Sequence, residues 1–151
     1  MRKIWNVVWV IVCGFGILGA SFGGTTTWTG TGDWFANPGN WNNGLPSAGD
    51  DVVIASGTVV LTNTTPDLGS FTMNGGTLIF SNWNTILTAT NVTINNGATL
   101  THYTNSATST NAFGQWVPDA RVYIVCTNLT LQAGGKIDVT GRGYGAGMGP
   151  G

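Results

Sequence analysis

The chain has 151 residues, a length that suits one domain, and its formal net charge is −1. Only 7% of its residues are Asp, Glu, Lys or Arg, against about 25% in ordinary soluble domains. Because no run of Lys or Arg occurs, a nucleic-acid-binding surface is excluded. The 24 glycines and the absence of glutamate favour short strands and tight turns over helices.

Residues 1–23 have the layout of a secretory signal peptide. Arg2 and Lys3 precede an apolar stretch that ends in small residues. The uninterrupted apolar core from Val7 to Leu18 is shorter than the roughly 20 residues that span a bilayer. We therefore expect a cleaved signal, no membrane span in the mature chain, and a location outside the cell or on a bacterial outer surface. Loss of Cys13 with the signal would leave Cys126 alone, without a disulfide, as a small buried apolar residue.

Residues 24–50 are rich in tryptophan, glycine and asparagine, and they precede the first regular strand pattern. Trp28, Trp34 and Trp41 have two interpretations. They either form an N-terminal cap that covers the first repeat unit, or they form an exposed platform for sugars. The cap is favoured because the end of a repeat array needs covering.

Residues 51–140 contain a repeated pattern, and 101–120 form a polar insertion within it. Four units share apolar residues at their second, fourth and tenth positions and a glycine at their seventh. The units read "DVVIASGTVVL", "SFTMNGGTLIF", "NVTINNGATLT" and "NLTLQAGGKID". The four columns are Val52, Phe71, Val92 and Leu129; Ile54, Met73, Ile94 and Leu131; Gly57, Gly76, Gly97 and Gly134; and Val60, Ile79, Leu100 and Ile137.

Alternation of apolar and polar residues indicates strands with one face turned inward. The glycine marks a bend with positive φ or close backbone approach. A period near 20 residues predicts an all-β fold, a β-solenoid in which like residues stack on like residues. A β-sandwich is the alternative, but it does not require the same glycine in every unit.

The insertion at 101–120 is where we expect binding, because loops on a rigid scaffold often carry function. The candidate binding residues are His102, Tyr103, Phe113 and Trp116. The alternative is that the aromatic residues simply pack on the outside of the solenoid.

Catalytic and metal-binding patterns are not apparent in the sequence. Glycan hydrolysis needs two carboxyl groups that face one cleft, whereas Asp50 and Asp51 are adjacent and would point to opposite faces of a strand. Asp50 is expected to bond backbone groups in the turn at Gly49. His102 is the only histidine, and a structural role is expected for it. We therefore predict no catalytic residue, no metal site and no cofactor.

Three motifs resemble the opening of large secreted bacterial β-helix proteins. They are "WTGTGDW" from Trp28, "NPGNW" from Asn37, and "PSAGDDVVI" from Pro46. The chain looks like the N-terminal region of an autotransporter-passenger-like or haemagglutinin-like surface protein. This resemblance implies a right-handed parallel β-helix of the pectin-lyase type. Residues 134–151, which include a glycine-rich tail at 141–151, resemble a glycine-rich segment inside such proteins. We expect the chain to be a fragment of a longer one.

The resemblance and the solenoid pattern together predict a non-catalytic structural or adhesive surface protein. Its expected partners are glycans or the surface of a host or neighbouring cell. Because the last unit would present an unpaired strand edge, edge-to-edge self-association is a further expectation. The alternative is that the chain is the N-terminal scaffold of a secreted polysaccharide lyase or hydrolase whose active site lies beyond residue 151.

Overall fold

A computed structural model describes residues 23–105, 110–114 and 117–143. The predicted signal segment lies outside this part of the chain, apart from Gly23, so the signal remains a prediction. None of the helical segments within the described ranges is long and apolar enough to cross a membrane.

The described residues form ten strands and one short 3-10 helix, as the all-β prediction requires. The helix, Pro38–Asn40, follows Asn37, whose side chain accepts a hydrogen bond from the Gly39 N–H. The strands are β1 (Thr25–Thr27), β2 (Gly32–Asp33), β3 (Asp51–Ile54), β4 (Thr58–Leu61), β5 (Leu68–Met73), β6 (Gly76–Phe80), β7 (Leu87–Ile94), β8 (Ala98–His102), β9 (Ile124–Leu131) and β10 (Lys136–Ile137).

Odd and even strands belong to two separate sheets. The first sheet has the order β1-β3-β5-β7-β9, and the second has the order β2-β4-β6-β8-β10. Every neighbouring pair is parallel. Each strand therefore pairs with the equivalent strand of the preceding and following units. Parallel sheets of this kind bury apolar columns between them.

The first sheet confirms the predicted register. Val52 pairs with Phe71, Phe71 with Val92, and Val92 with Leu129. The column that begins at Ile54 continues in the same way through Met73, Ile94 and Leu131. In β3, β5 and β7 these residues are buried, so like residues stack on like residues along one interior line.

The second sheet differs from the prediction at the tenth position of the first two units. Val60 and Ile79 pair with each other but are only half-buried, so they do not form an inner column. The buried column is Val59, Leu78 and Leu100. The third turn has one extra residue, so Gly76 pairs with Ala98 and not with Gly97, and Leu100 aligns with Leu78 instead of Ile79. A slip of one residue moves a side chain to the other face of a strand.

The N-terminal tryptophans are buried, as a cap requires, so the interpretation of them as an exposed sugar platform is wrong. Trp41 packs edge-on against Trp28 and Trp34, with ring centroids 4.9 and 4.6 Å apart. Its indole N–H donates to the Trp34 carbonyl oxygen at 3.1 Å. Trp34 also stacks on Phe71 of β5, at 6.2 Å. The cap thus reaches into the core of the second unit.

The outer edge of β1 is closed by the segment that follows the 3-10 helix. The Thr27 N–H donates to Asn42 Oδ1 at 2.7 Å, and the Thr27 carbonyl accepts the Asn42 N–H at 3.1 Å. Asn43 Nδ2 donates to the Thr25 carbonyl at 2.7 Å. These contacts satisfy the backbone groups that an edge strand would otherwise offer to another strand.

The opposite end of the first sheet is open within the described residues. Leu129 and Leu131 of β9 continue the two core columns, yet they are 48% and 51% exposed. Val125, Ile137 and Val139 add further exposed apolar surface at this end. Exposed apolar surface that is continuous with a core is a site of association.

This difference in burial predicts a difference in stability. Leu129→Ala should lower the free energy of unfolding by about 1–2 kcal/mol, because half of the side chain is already in water. Leu78→Ala removes the same atoms from a fully buried position and should cost about 3–5 kcal/mol. Urea unfolding of both variants gives the comparison. Equal losses would show that β9 is covered in solution.

Candidate functional site

His102, the first predicted binding residue, is structural. It ends β8, is 6% exposed, and its Nδ1 lies 2.7 Å from the Tyr103 carbonyl oxygen. Because a carbonyl can only accept, Nδ1 carries the proton in this contact. The His102 carbonyl in turn accepts a hydrogen bond from Arg142 Nη1 at 2.8 Å. The His102 ring is thus buried within the fold.

The other loop candidates within the described residues are exposed, whereas His102 is buried. Tyr103 is 45% exposed, and Phe113 is 88% exposed at the tip of a turn. The Phe113 N–H donates to Asn111 Oδ1 at 2.9 Å, which fixes the backbone of this turn. Trp116 lies outside the described residues. Because Phe113 is almost fully exposed, the alternative in which it packs on the outer surface is wrong for that residue.

Asn105 anchors the base of the insertion. Its Oδ1 accepts the backbone N–H groups of Asp119 and Ala120, both at 2.7 Å. Its own N–H and its Nδ2 both donate to the Arg142 carbonyl at 3.2 Å. One buried amide therefore joins both ends of the insertion to the turn that follows β10. These bonds fix the two ends of the insertion relative to each other.

Arg121 lies between two aromatic rings, an arrangement that the sequence did not reveal. Its guanidinium carbon lies 4.3 Å from the Trp83 ring centroid and 4.2 Å from that of Tyr123. Its Nε donates to the Trp83 carbonyl oxygen at 2.8 Å. The face of an aromatic ring attracts a cation, so both rings stabilise the guanidinium in this position. They attach the segment that leads into β9 to the turn between β6 and β7.

The paired aspartates are structural, as predicted. Asp50 accepts backbone N–H groups from Gly24 at 2.8 Å and from Ser47 at 2.7 Å. Asp51 begins β3 and accepts the Ser70 hydroxyl at 2.6 Å. Across the described ranges, no group of three or more His, Cys, Asp or Glu side chains could hold a metal ion.

Cys126 has no disulfide partner and is half-buried, not buried as predicted. It packs against the core from one side. On the other side it lines an open groove of about 460 Å³ that crosses β5, β7 and β9. Cys126 is only half-buried because its strand, β9, is the outermost strand of the sheet.

A smaller, polar groove of about 240 Å³ lies along the second sheet. Thr77 and Thr99 are paired neighbours on β6 and β8, and Thr101 lies two residues further along β8. The opposite wall is formed by the segment after β10. The residues that line this polar groove are Thr77, Thr99, Thr101, Asp138, Thr140 and Arg142.

Asp138 is held as a carboxylate in this polar groove. The backbone N–H of Thr140 donates to its Oδ1 at 3.0 Å. This bond, followed by one from the Thr140 hydroxyl, holds the pKa of Asp138 below its ordinary value, and Lys136 and Arg142 act in the same direction. The side chain is fully exposed, so the carboxylate remains available as an acceptor.

The titration of Asp138 provides a prediction. In a ¹³C NMR titration, Asp138 should lose its charge below the pH at which an unperturbed aspartate does, because hydrogen bonds favour the charged form. A lowered folded-state pKa contributes stability above the unfolded pKa, and this contribution disappears as the pH falls through the folded value. Thr140→Val removes the hydroxyl and should raise the midpoint partway. A midpoint above that of an ordinary aspartate would contradict the observed contacts.

The parallel register, the cap and the repeated glycine turns define an all-β repeat protein. The family model of the G8 domain matches residues 40–144, and the chain belongs to the G8 domain family. G8 domains occur in extracellular proteins, which is consistent with secretion. A comparison with curated proteins and one with solved structures each gave no match.

Proposed function

We propose that the chain is an exported structural module with an adhesive surface. In this proposal its units are the first coils of a right-handed parallel β-helix, and its loops face a glycan or a neighbouring cell. The extracellular occurrence of G8 domains supports export. The autotransporter-like and bacterial assignments rest on the sequence motifs alone and belong to the proposal.

The observation that carries the scaffold role is the contrast between the two ends of the first sheet. The first strand is closed by Asn42 and Asn43, whereas Leu129 and Leu131 of the last strand expose the core columns. An edge that exposes core columns, as β9 does among the described residues, is suited to packing against a further strand. Pairing with a second copy is the other use of such an edge.

The geometry of the insertion supports the adhesive role. Phe113 and Tyr103 are exposed, and Asn105 holds the base of the loop through four hydrogen bonds. Aromatic side chains on a rigid base lose little conformational freedom on binding, which favours affinity. The enzyme-scaffold alternative remains a prediction about a longer protein, and no feature of the described residues favours it.

Binding of the 151-residue chain to a glycan array and to whole bacterial or host cells tests the adhesive role. Phe113→Ala and Tyr103→Ala should each weaken binding at least about threefold, because each removes an exposed aromatic contact. Leu45→Ala is the control, since Leu45 is another exposed apolar residue but lies in the cap segment. Unfolding midpoints should be unchanged in all three variants.

Absence of binding on both the array and the cells would contradict the adhesive role. Equal binding by the wild type and both loop variants would show that the insertion is not the binding surface.

A further inference from the structure

The polar groove combines hydroxyl groups with a carboxylate and a guanidinium. Thr77 and Thr99 are adjacent in register, so their positions are separated by about the strand spacing of 4.8 Å. Both are half-buried and face the groove. The floor thus offers a regular row of groups that can donate and accept hydrogen bonds.

One polar group beside the groove lacks a partner among the described residues. The Thr101 hydroxyl is buried and has no hydrogen-bond partner there, although Thr101 lines the groove. Arg142 uses Nη1 for the His102 carbonyl. Since buried polar groups are normally paired, the unpaired Thr101 hydroxyl is an unsatisfied group at the edge of the groove.

The walls of the groove are fixed. The Asp138 N–H donates to the Leu100 carbonyl at 2.9 Å, and the Arg142 N–H donates to the Val139 carbonyl at 3.0 Å. Asn105 attaches the Arg142 carbonyl to the insertion. The carboxylate and the guanidinium are therefore positioned before a ligand arrives, which lowers the entropic cost of binding.

We propose that the polar groove binds one residue of a neutral, hydroxyl-rich saccharide. This inference rests on the proposed adhesive role and names its ligand class and site. Asp138 accepts a hydrogen bond from a sugar hydroxyl, Arg142 donates to a hydroxyl or ring oxygen, and Thr77 and Thr99 form hydrogen bonds with adjacent hydroxyls. A groove of about 240 Å³ is large enough for a single sugar ring.

The charges in the groove select a neutral ligand. A carboxylated or sulfated sugar would place a negative charge beside Asp138 and be repelled by it. A cationic ligand would be repelled by Arg142 in the same way. Lys136 pairs with Thr99 in register and lies close enough to act on Asp138, but it does not line the groove. Adjacent hydroxyls both donate and accept, so they match the two charged groups together. No aromatic residue lines the described groove, so hydrogen bonds supply the recognition.

NMR titration of the ¹⁵N-labelled chain with cellotriose, maltotriose and mannotriose, and with trigalacturonate as the acidic comparison, tests the site. At least one neutral trisaccharide should shift the amide signals of Thr77, Thr99 and Thr140. Asp138→Asn keeps the oxygen that accepts the Thr140 N–H but replaces the other oxygen with a donor, so it should weaken binding about tenfold or more. Thr99→Val should weaken it about threefold to tenfold.

The matched control is Thr72→Val, which makes the same change at a half-buried threonine of the other sheet. It should alter the affinity less than twofold. Circular dichroism melting must show that every variant keeps the fold of the wild type, and Asp138→Glu replaces Asp138→Asn if the latter does not. The proposal is overturned if no neutral trisaccharide shifts the groove signals, if the groove variants bind like the wild type, or if trigalacturonate binds there more tightly.

Failure of this site is distinguishable from failure of the adhesive role. If binding on the array or to cells depends on Phe113 or Tyr103 and is unaffected by Asp138→Asn and Thr99→Val, the adhesive role stands and the groove assignment is wrong. If the groove variants lose array binding together with the NMR shifts, both are supported.

Discussion

Phe71→Ala is expected to lower the free energy of unfolding by about 3–5 kcal/mol, a large part of the roughly 5–15 kcal/mol that stabilises a small domain. Phe71 is fully buried in β5, pairs with Val52 and Val92 on either side, and stacks on Trp34 of the cap. The substitution therefore leaves a cavity where the cap and two units meet. Urea denaturation followed by tryptophan fluorescence measures the loss.

Thr72→Ala is the control for this variant. Thr72 is the next residue of the same strand, faces outward and is half-buried, so its change should stay within about 1 kcal/mol. The two substitutions share a strand and differ in the face that carries the side chain. Similar losses for both would show that Phe71 does not occupy the interior of the stack.

Gly76→Ala is the second large effect, with an expected loss of more than about 3 kcal/mol. Gly76 has φ of 82°, a conformation that costs a residue with a side chain about 1–2 kcal/mol. A Cβ atom at this position would also lie 2.1 Å from the Gly57 carbonyl oxygen and 2.7 Å from its nitrogen. The backbones of successive units approach too closely to admit a methyl group, and they would have to move apart.

Gly97→Ala separates the two causes. Gly97 occupies the equivalent turn in the third unit with φ of 81°, yet a Cβ atom there would meet nothing within 4 Å. Its loss should be the conformational cost alone, about 1–2 kcal/mol. If Gly76→Ala and Gly97→Ala cost the same in thermal or urea unfolding, the close contact between the first two turns is absent in solution.

The columns of the first sheet could be predicted from sequence because two local signals agree. Apolar alternation fixes which side chains face inward, and the following glycine fixes where each strand ends. All four glycines of the repeat have positive φ, as this argument requires. The buried cap could be predicted because three tryptophans directly precede the first unit, where an uncovered core must be closed.

The register of the second sheet could not be predicted in the same way. The spacing from Ile94 to Gly97 matches the other units, but the pairing of Gly76 with Ala98 depends on how the third turn sits on the second. The arrangement of Arg121 between Trp83 and Tyr123 joins residues that lie 38 positions apart. The polar groove likewise unites the outer face of β8 with Asp138 and Arg142. No local pattern encodes these contacts, because the packing of one unit on another creates them.

The stacking of equivalent residues is tested most directly by NOE contacts in a methyl- and aromatic-labelled sample. The account predicts cross-peaks for Val52 with Phe71, Phe71 with Val92, and Val92 with Leu129, each between strands about 4.8 Å apart. It also predicts parallel backbone NOE patterns along β3, β5, β7 and β9. Antiparallel patterns between these strands, or the absence of the three side-chain contacts in a folded sample, would contradict the account.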